Sequence, residues 1–211
     1  MFESKELYQA ILKGNLNVAK EEVTKAIEAN CAPQEIINNC MVKAMEEIGT
    51  DFEEGRAFVP NLLMSARAMK GALELLKPLM QGDKSQLLGR VVIGTVRGDL
   101  HDIGKNLVAS MLEGCGFEVF NLGSDVNAEK FLAAAVEHEA DIICLSALLT
   151  TTMGYMADII KSVEAAGLKG KVKVMIGGAP ITQEFADEIG ADGYSDNANA
   201  AVALAKKLVC A

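Results

Sequence analysis

No apolar run in this sequence approaches the roughly 18 residues that a membrane-spanning helix requires, and the opening MFESKELYQA carries acids and no apolar segment. A cytoplasmic protein without membrane partners is expected. Positive charge is also scarce: 20 Lys and Arg stand against 29 Asp and Glu, a formal charge of −9. Sequence-independent nucleic-acid binding needs cations that neutralise phosphates, so this class is set aside. The five cysteines (Cys31, Cys40, Cys115, Cys144 and Cys210) are odd in number and include no C-x-x-C pair. A zinc site or redox dithiol is therefore not expected. Most of them sit among apolar neighbours and read as buried thiols.

What is present is enough apolar material for a core: half of the 211 residues are hydrophobic. From Ser4 to Gln81 the apolar spacing is helical, most clearly at Leu62, Ala66, Met69, Leu73, Leu76 and Met80. The segment before it repeats the pattern at Ile37, Met41, Ala44, Ile48 and Phe52, and shorter ones run over 7–12 and 18–27. Gly14 and Asn15 interrupt the first pair, Pro33 opens the third segment and Pro60 suits the first turn of the fourth. A four-helix bundle is predicted. The methionines of the last segment, Met64, Met69 and Met80, read as core packing.

After the polar stretch QGDKSQ at 81–86, read as a linker, β-branched runs alternate with helical ones. Strands are predicted at 90–95, 118–121, 141–146, 172–176 and 193–194, with helices at 103–113, 128–138, 153–166, 182–189 and 198–209. The expected organisation is a helical cap domain, 1–84, and an α/β domain, 85–211, whose five β-α units form a doubly wound parallel sheet. Ligands of such sheets bind at the carboxyl ends of the strands. The loops at 95–104, 122–125, 146–152, 177–179 and 195–198 are thus the places to look.

The first of these loops reads TVRGDLHDIGKN, with Asp99, His101 and Gly104 at the ligand edge. Two readings stand side by side: a cofactor loop, or Asp99 capping a helix that starts near His101, with Asp102 sharing the role. Other loop chemistries fail on their spacing. Five residues separate Gly98 from Gly104 and Asn106 follows Lys105, so the loop is no phosphate-binding P-loop. No G-x-G-x-x-G stands at this turn to bind a dinucleotide. A receiver domain wants an aspartate ending the third strand, where Ser146 stands.

In order along the chain come Asp99-Leu100-His101 with Gly104, then Ser146-Ala147-Leu148, then Gly177-Gly178. This ordered set resembles the cobalamin-binding family that includes the corrinoid module of methionine synthase and the small corrinoid proteins of methanol, methylamine and methyl-ether metabolism. The helical segment FEEGRAFVPNLLMSARAMK looks like the family's cap, so the resemblance covers nearly the whole chain. It implies a Rossmann-like cobalamin-binding fold that holds cobalamin or a related corrinoid base-off and His-on. His101 would be the lower axial cobalt ligand, oriented by Asp99, with Thr152 where methionine synthase has a serine in the relay. The His101–Asp99 pair would take up a proton as the methylcobalamin form gives way to cob(I)alamin, which prefers no axial base.

The same resemblance assigns Asp102 to the cofactor loop, and Ser146, Leu148, Thr150, Gly104, Gly177, Gly178 and Ala198 to contacts with the corrinoid and its nucleotide tail. Phe52 and Val59 would shield the methyl face. Each residue also has an ordinary reading, since glycines end many strands, Ser and Thr cap helices, and Phe52 continues a bundle stripe. Asn38 departs from the family's glutamate, which puts that one contact in doubt. The implied function is a methyl carrier, inactive alone, between a substrate-specific methyltransferase and an acceptor methyltransferase acting on a thiol or a tetrahydrofolate-type compound, with a reductive activase as further partner. The alternatives are a subunit of an adenosylcobalamin-dependent mutase and a corrinoid sensor.

Overall fold

The computed structural model describes residues 3–80 and 88–210, with the side chains of Lys77 and Met80 left out. The expected linker at 81–86 and the 84/85 boundary lie outside the described residues. The chain divides into two compact units, 1–87 with 110–116, and 88–109 with 117–211.

The first unit is helical. α1 (Lys5–Leu12) starts where the Ser4 hydroxyl accepts the Leu7 amide, and α2 (Leu16–Glu28) where Asn15 accepts the Val18 amide. Pro33 takes the first position of α3 (Pro33–Ile36), where its missing N–H costs nothing. A π-helical stretch, Ile37–Val42, then leads into α4 (Lys43–Glu53). Ile37, Met41, Ala44 and Ile48 are buried as their spacing predicts, and Phe52 is half-buried. In α5 (Val59–Leu76) the predicted stripe of Leu62, Ala66, Met69, Leu73 and Leu76 is buried throughout. Met64 corrects the expectation of core packing: it lies about 200° around the helix from Leu62 and is 52% exposed. A short 3-10 turn, Lys77–Met80, follows α5.

The second unit is a five-stranded parallel sheet in the order β2-β1-β3-β4-β5. Its strands are β1 (Arg90–Thr95), β2 (Glu118–Asn121), β3 (Ile142–Ser146), β4 (Lys173–Gly177) and β5 (Gly193–Ser195). The helices are α6 (Ile103–Gly114), α7 (Ala128–Glu137), α8 (Gly154–Ala165), α9 (Gln183–Ile189) and α10 (Ala198–Val209). Predicted and observed bounds coincide or differ by one residue at an end, within the uncertainty natural to element ends.

The central strands are apolar runs because both faces are covered. Val92, Ile143, Leu145, Val174 and Ile176 pack with Phe131 of α7, Met156 of α8 and Ala186 of α9. Val91, Ile93, Ile142, Cys144 and Met175 alternate to the opposite face and are equally buried. Fully burying one such side chain stabilises the fold by about 1.5–3 kcal/mol. Gly94 interrupts β1 because a Cβ there would sit 2.7 Å from the Phe131 ring.

The strand order reverses between β1 and β3, so their following connections leave in opposite directions and open a crevice at the carboxyl edge. The register puts Thr95, Ser146, Gly177 and Ser195 in one row along that edge. The loop after β1 rises from this row. Among the described residues no helix is long and apolar enough to cross a membrane.

Candidate functional site

The chain leaves β1 through Val96, whose amide donates to the Ser146 carbonyl, and turns so that the Asp99 amide donates back to the Val96 carbonyl. This carries the Asp99 side chain inward, and it is fully buried. A buried carboxylate survives only with donors around it. Five converge here. Oδ1 accepts the His101 amide at 3.0 Å and His101 Nδ1 at 2.8 Å. Oδ2 accepts the amides of Leu148 and Leu149 at 2.8 and 3.1 Å, and the Thr152 hydroxyl at 3.0 Å. Burial by itself would raise the pKa of this carboxyl; the Leu148 and His101 amides, the His101 ring and the Leu149 amide outweigh it and hold Asp99 well below the usual carboxylate range.

An ionised Asp99 can only accept, so His101 Nδ1 carries a proton, and in the neutral ring Nε2 is the nitrogen with the lone pair. The imidazole is half-exposed, and Nε2 has no hydrogen-bond partner among the described residues. Its main chain is fixed on both sides: the N–H by Asp99, and the carbonyl by the buried Thr95 hydroxyl at 2.9 Å. The result is a histidine whose backbone and one nitrogen are tied to the sheet, with the other nitrogen directed away from its anchor.

Asp99 therefore does more than cap a helix. α6 starts at Ile103, and of its two flanking acids the nearer, Asp102, accepts the Asn106 side-chain N–H on its carboxylate at 2.9 Å. Gly104 lies in the first turn, where a Cβ would meet no protein atom within 4 Å. Packing does not demand glycine at this position. Leu148 contributes its amide, while its side chain is exposed. Thr152, buried at the turn into α8, has one hydroxyl proton within reach of both Asp99 Oδ2 and the Leu149 carbonyl.

The other predicted positions are distributed along the carboxyl edge. Ser146 is half-buried at the end of β3, and Thr150 is exposed in the turn beyond it. Gly177 ends β4 beside the Ser195 carbonyl. Gly178 has φ +136°, and a Cβ there would fall 1.9 Å from the Ala147 carbonyl oxygen, so no other residue fits. Ala198 is buried at the first position of α10, with Asn197 accepting the Ala200 amide before it. Phe52 and Val59 belong to the helical unit, the first half-buried in α4 and the second 40% exposed at the start of α5.

Two groups of residues escaped sequence reasoning. Asp125, in a left-handed conformation, accepts the Gly98 amide at 2.7 Å and donates its own amide to the Asp99 carbonyl at 3.0 Å, bracing the loop from the β2 side. Lys105, set aside with the P-loop, is buried, and its ammonium donates to Asn121 Oδ1 at 2.7 Å. Burial lowers its pKa, and the nearby Asp102 charge acts in the opposite sense. On the loop that carries His101, Leu100 and Ile103 are 74% and 88% exposed, and Leu148, Leu149 and Tyr155 are exposed on the adjoining loop and helix, beside the polar Arg97, Thr150 and Thr151. Exposed apolar side chains on the loops beside one imidazole nitrogen suit a large, flat ligand better than a hydrated ion.

The sequence profile described as a B12 binding domain matches residues 89–203, and a second profile of the same description matches residues 3–77. Dimethylamine corrinoid protein 1 of Methanosarcina acetivorans is 46% identical over 208 residues, covering 97% of this chain and 98% of the relative. Among solved structures, a cobalamin-binding protein from Desulfitobacterium hafniense superimposes with a TM-score of 0.83 at 31% identity, covering 99% of both chains. The methanol:cobalamin methyltransferase complex of Methanosarcina barkeri matches with a TM-score of 0.84 at 32% identity, over 97% of this chain and 78% of that one.

Proposed function

The chain belongs to the family of B12-binding corrinoid proteins, and on that footing we propose that it carries methyl groups between a substrate methyltransferase and an acceptor methyltransferase. The comparisons favour this reading over an adenosylcobalamin-dependent mutase subunit or a corrinoid sensor. The observation that carries it is the buried, five-donor Asp99 holding His101 by Nδ1.

The residues fit a corrinoid. Among the described residues no group of three or more His, Cys, Asp or Glu side chains could hold a metal ion, so His101 suits a metal that brings most of its ligands with it. The open space at Gly104 and the exposed apolar side chains of Leu100, Ile103, Leu148 and Leu149 suit the body of a macrocycle. The corrinoid, when bound, supplies the cobalt on which methyl transfer takes place.

His101 would then hold the cobalt through Nε2 in place of the cofactor's own base, the base-off and His-on state. Asp99 holds the Nδ1 proton, which fixes the tautomer and raises the basicity of Nε2. Thr152 holds Asp99 in turn, its hydroxyl proton shared with the Leu149 carbonyl. Asp102 belongs to the cofactor loop through its place at the start of α6. The displaced nucleotide tail is assigned to the carboxyl edge at Ser146, Leu148, Thr150, Gly177, Gly178 and Ala198, and the upper face to Phe52 and Val59. The domain division at 84/85, the cytoplasmic location and a reductive activase as third partner belong to the same reading.

The test is to load the protein with hydroxocobalamin, reduce it to cobalt(II), and record the EPR spectrum with nitrogen-labelled histidine. Coupling to an imidazole nitrogen that vanishes in His101→Ala is expected. Coupling to the benzimidazole nitrogen, or a spectrum indifferent to His101→Ala, would overturn the assignment.

A further inference from the structure

Beside the Asp99 cluster, the same loop is tied to the sheet a second time. Asn121, the last residue of edge strand β2, accepts the Lys105 ammonium at 2.7 Å and the Gly123 amide at 3.1 Å on its Oδ1. Its Nδ2 donates to Asn106 Oδ1 at 2.9 Å, and Asn106 Nδ2 donates to Asp102 Oδ2 at 2.9 Å. One unbroken line of hydrogen bonds thus runs from a buried cation, through two amides, to the carboxylate beside His101. It meets the start of α6 at positions 102, 105 and 106. The Gly123 carbonyl accepts the Thr95 amide, and the Thr95 hydroxyl holds the His101 carbonyl, so the β2 end and the histidine share a further link.

Packing alone gives no reason for a cation here. An apolar residue of similar length would fill the space without the desolvation that a buried ammonium costs. Lys105 is 4% exposed, and the hydrogen bonds it joins all end at the first turn of α6 or at the β2 terminus. We propose that Lys105 and Asn121 are positioning residues for His101: they lock the first turn of α6 onto the end of β2 and so fix the direction in which the imidazole leaves the loop. The role rests on the reading of His101 as an axial ligand, but its mechanical half concerns the cofactor-free chain.

Two variants of the full chain test it, Lys105→Met, which keeps length and removes the charge and donor, and Asn106→Ala, which breaks the next link at a half-exposed residue. Hydrogen exchange of the cofactor-free proteins is read over 98–106. Exchange there should quicken about tenfold in Lys105→Met, the scale of one lost charge-assisted hydrogen bond, and by less in Asn106→Ala, while β3 and β4 keep wild-type protection. After loading with hydroxocobalamin and reduction, the share of cobalt(II) signal showing imidazole nitrogen should fall in the same order. Wild-type exchange over 98–106 in both variants, or a uniform rise across the whole sheet, overturns the positioning role. A Lys105→Met chain that does not fold leaves the decision to Asn106→Ala. If the wild-type protein shows no imidazole coupling, the axial-ligand reading fails, whereas the exchange comparison still decides whether the line of bonds holds the loop.

Discussion

At the amino ends of the strands, charged groups answer one another in the open. Arg90 pairs with Glu118 and Glu139, Asp141 accepts the Arg90 amide, and Asp192 takes both the Val174 amide and the Lys173 ammonium. At the carboxyl ends the arrangement is reversed. The carboxylate of Asp99 is drawn inward and surrounded, Lys105 is buried against the end of β2, and Leu100, Ile103, Leu148 and Leu149 stand among the exposed side chains. Exposed pairs cost little to make and return little. A buried carboxylate ringed by donors costs far more to assemble, so its presence at one end only marks where the sheet holds something other than itself.

The largest test of this contrast is Asp99→Ala. It leaves the Leu148 and Leu149 amides and the Thr152 hydroxyl without their common acceptor, and should cost about 3 kcal/mol or more of stability in urea unfolding, together with the axial imidazole signal. A loss under about 1 kcal/mol would make the two ends equivalent. Next in size, Gly178→Ala forces a Cβ onto the Ala147 carbonyl and should cost about 2–3 kcal/mol. Gly104→Ala should do the opposite, leaving the cofactor-free protein as stable as wild type while weakening corrinoid binding in a titration followed by absorbance.

A smaller effect should appear in acid. The folded pKa of Asp99 is depressed, so its contribution is fully present above the unfolded value, about 3.9, and is lost as pH falls below that toward the folded value. The stability gap between wild type and Asp99→Asn, measured by urea midpoints, should therefore be constant from pH 7 to about pH 5 and narrow towards pH 3. A gap that widens in acid would contradict the buried, ionised carboxylate. Smallest of all, Arg90→Gln should leave corrinoid affinity unchanged, since its partners all lie at the far end of the sheet.

Much of this was readable in the letters. The sheet was, because Val, Ile and Leu runs between helical stretches have few other solutions, whereas the spacing of Asp99, His101 and Gly104 fitted a capped helix equally well and only the ordered set with Ser146-Ala147-Leu148 and Gly177-Gly178 singled His101 out. The donors on Asp99 were legible only in part. Thr152 has a side chain to notice, but the Leu148 and Leu149 amides belong to the backbone and would be the same whatever residues stood there. Asp125 acts through a left-handed turn that its letter does not announce. Lys105 was visible and misplaced, judged against a phosphate when its partner is an amide 16 residues away. In the helical unit, the π-helical stretch at Ile37–Val42 left the apolar spacing intact and so gave no signal, while Met64 shows that composition cannot stand in for phase around a helix.

The donors that saturate Asp99 Oδ2 lie 49, 50 and 53 residues further along the chain, whereas His101 is two residues away. Closing so long a loop is slow compared with forming a turn, and here it requires β1 and β3 to pair in parallel although α6, β2 and α7 lie between them in the chain. During synthesis the histidine is therefore made well before the groups that tame its carboxylate. The five-donor state of Asp99 is thus open only to a chain whose synthesis has passed residue 152.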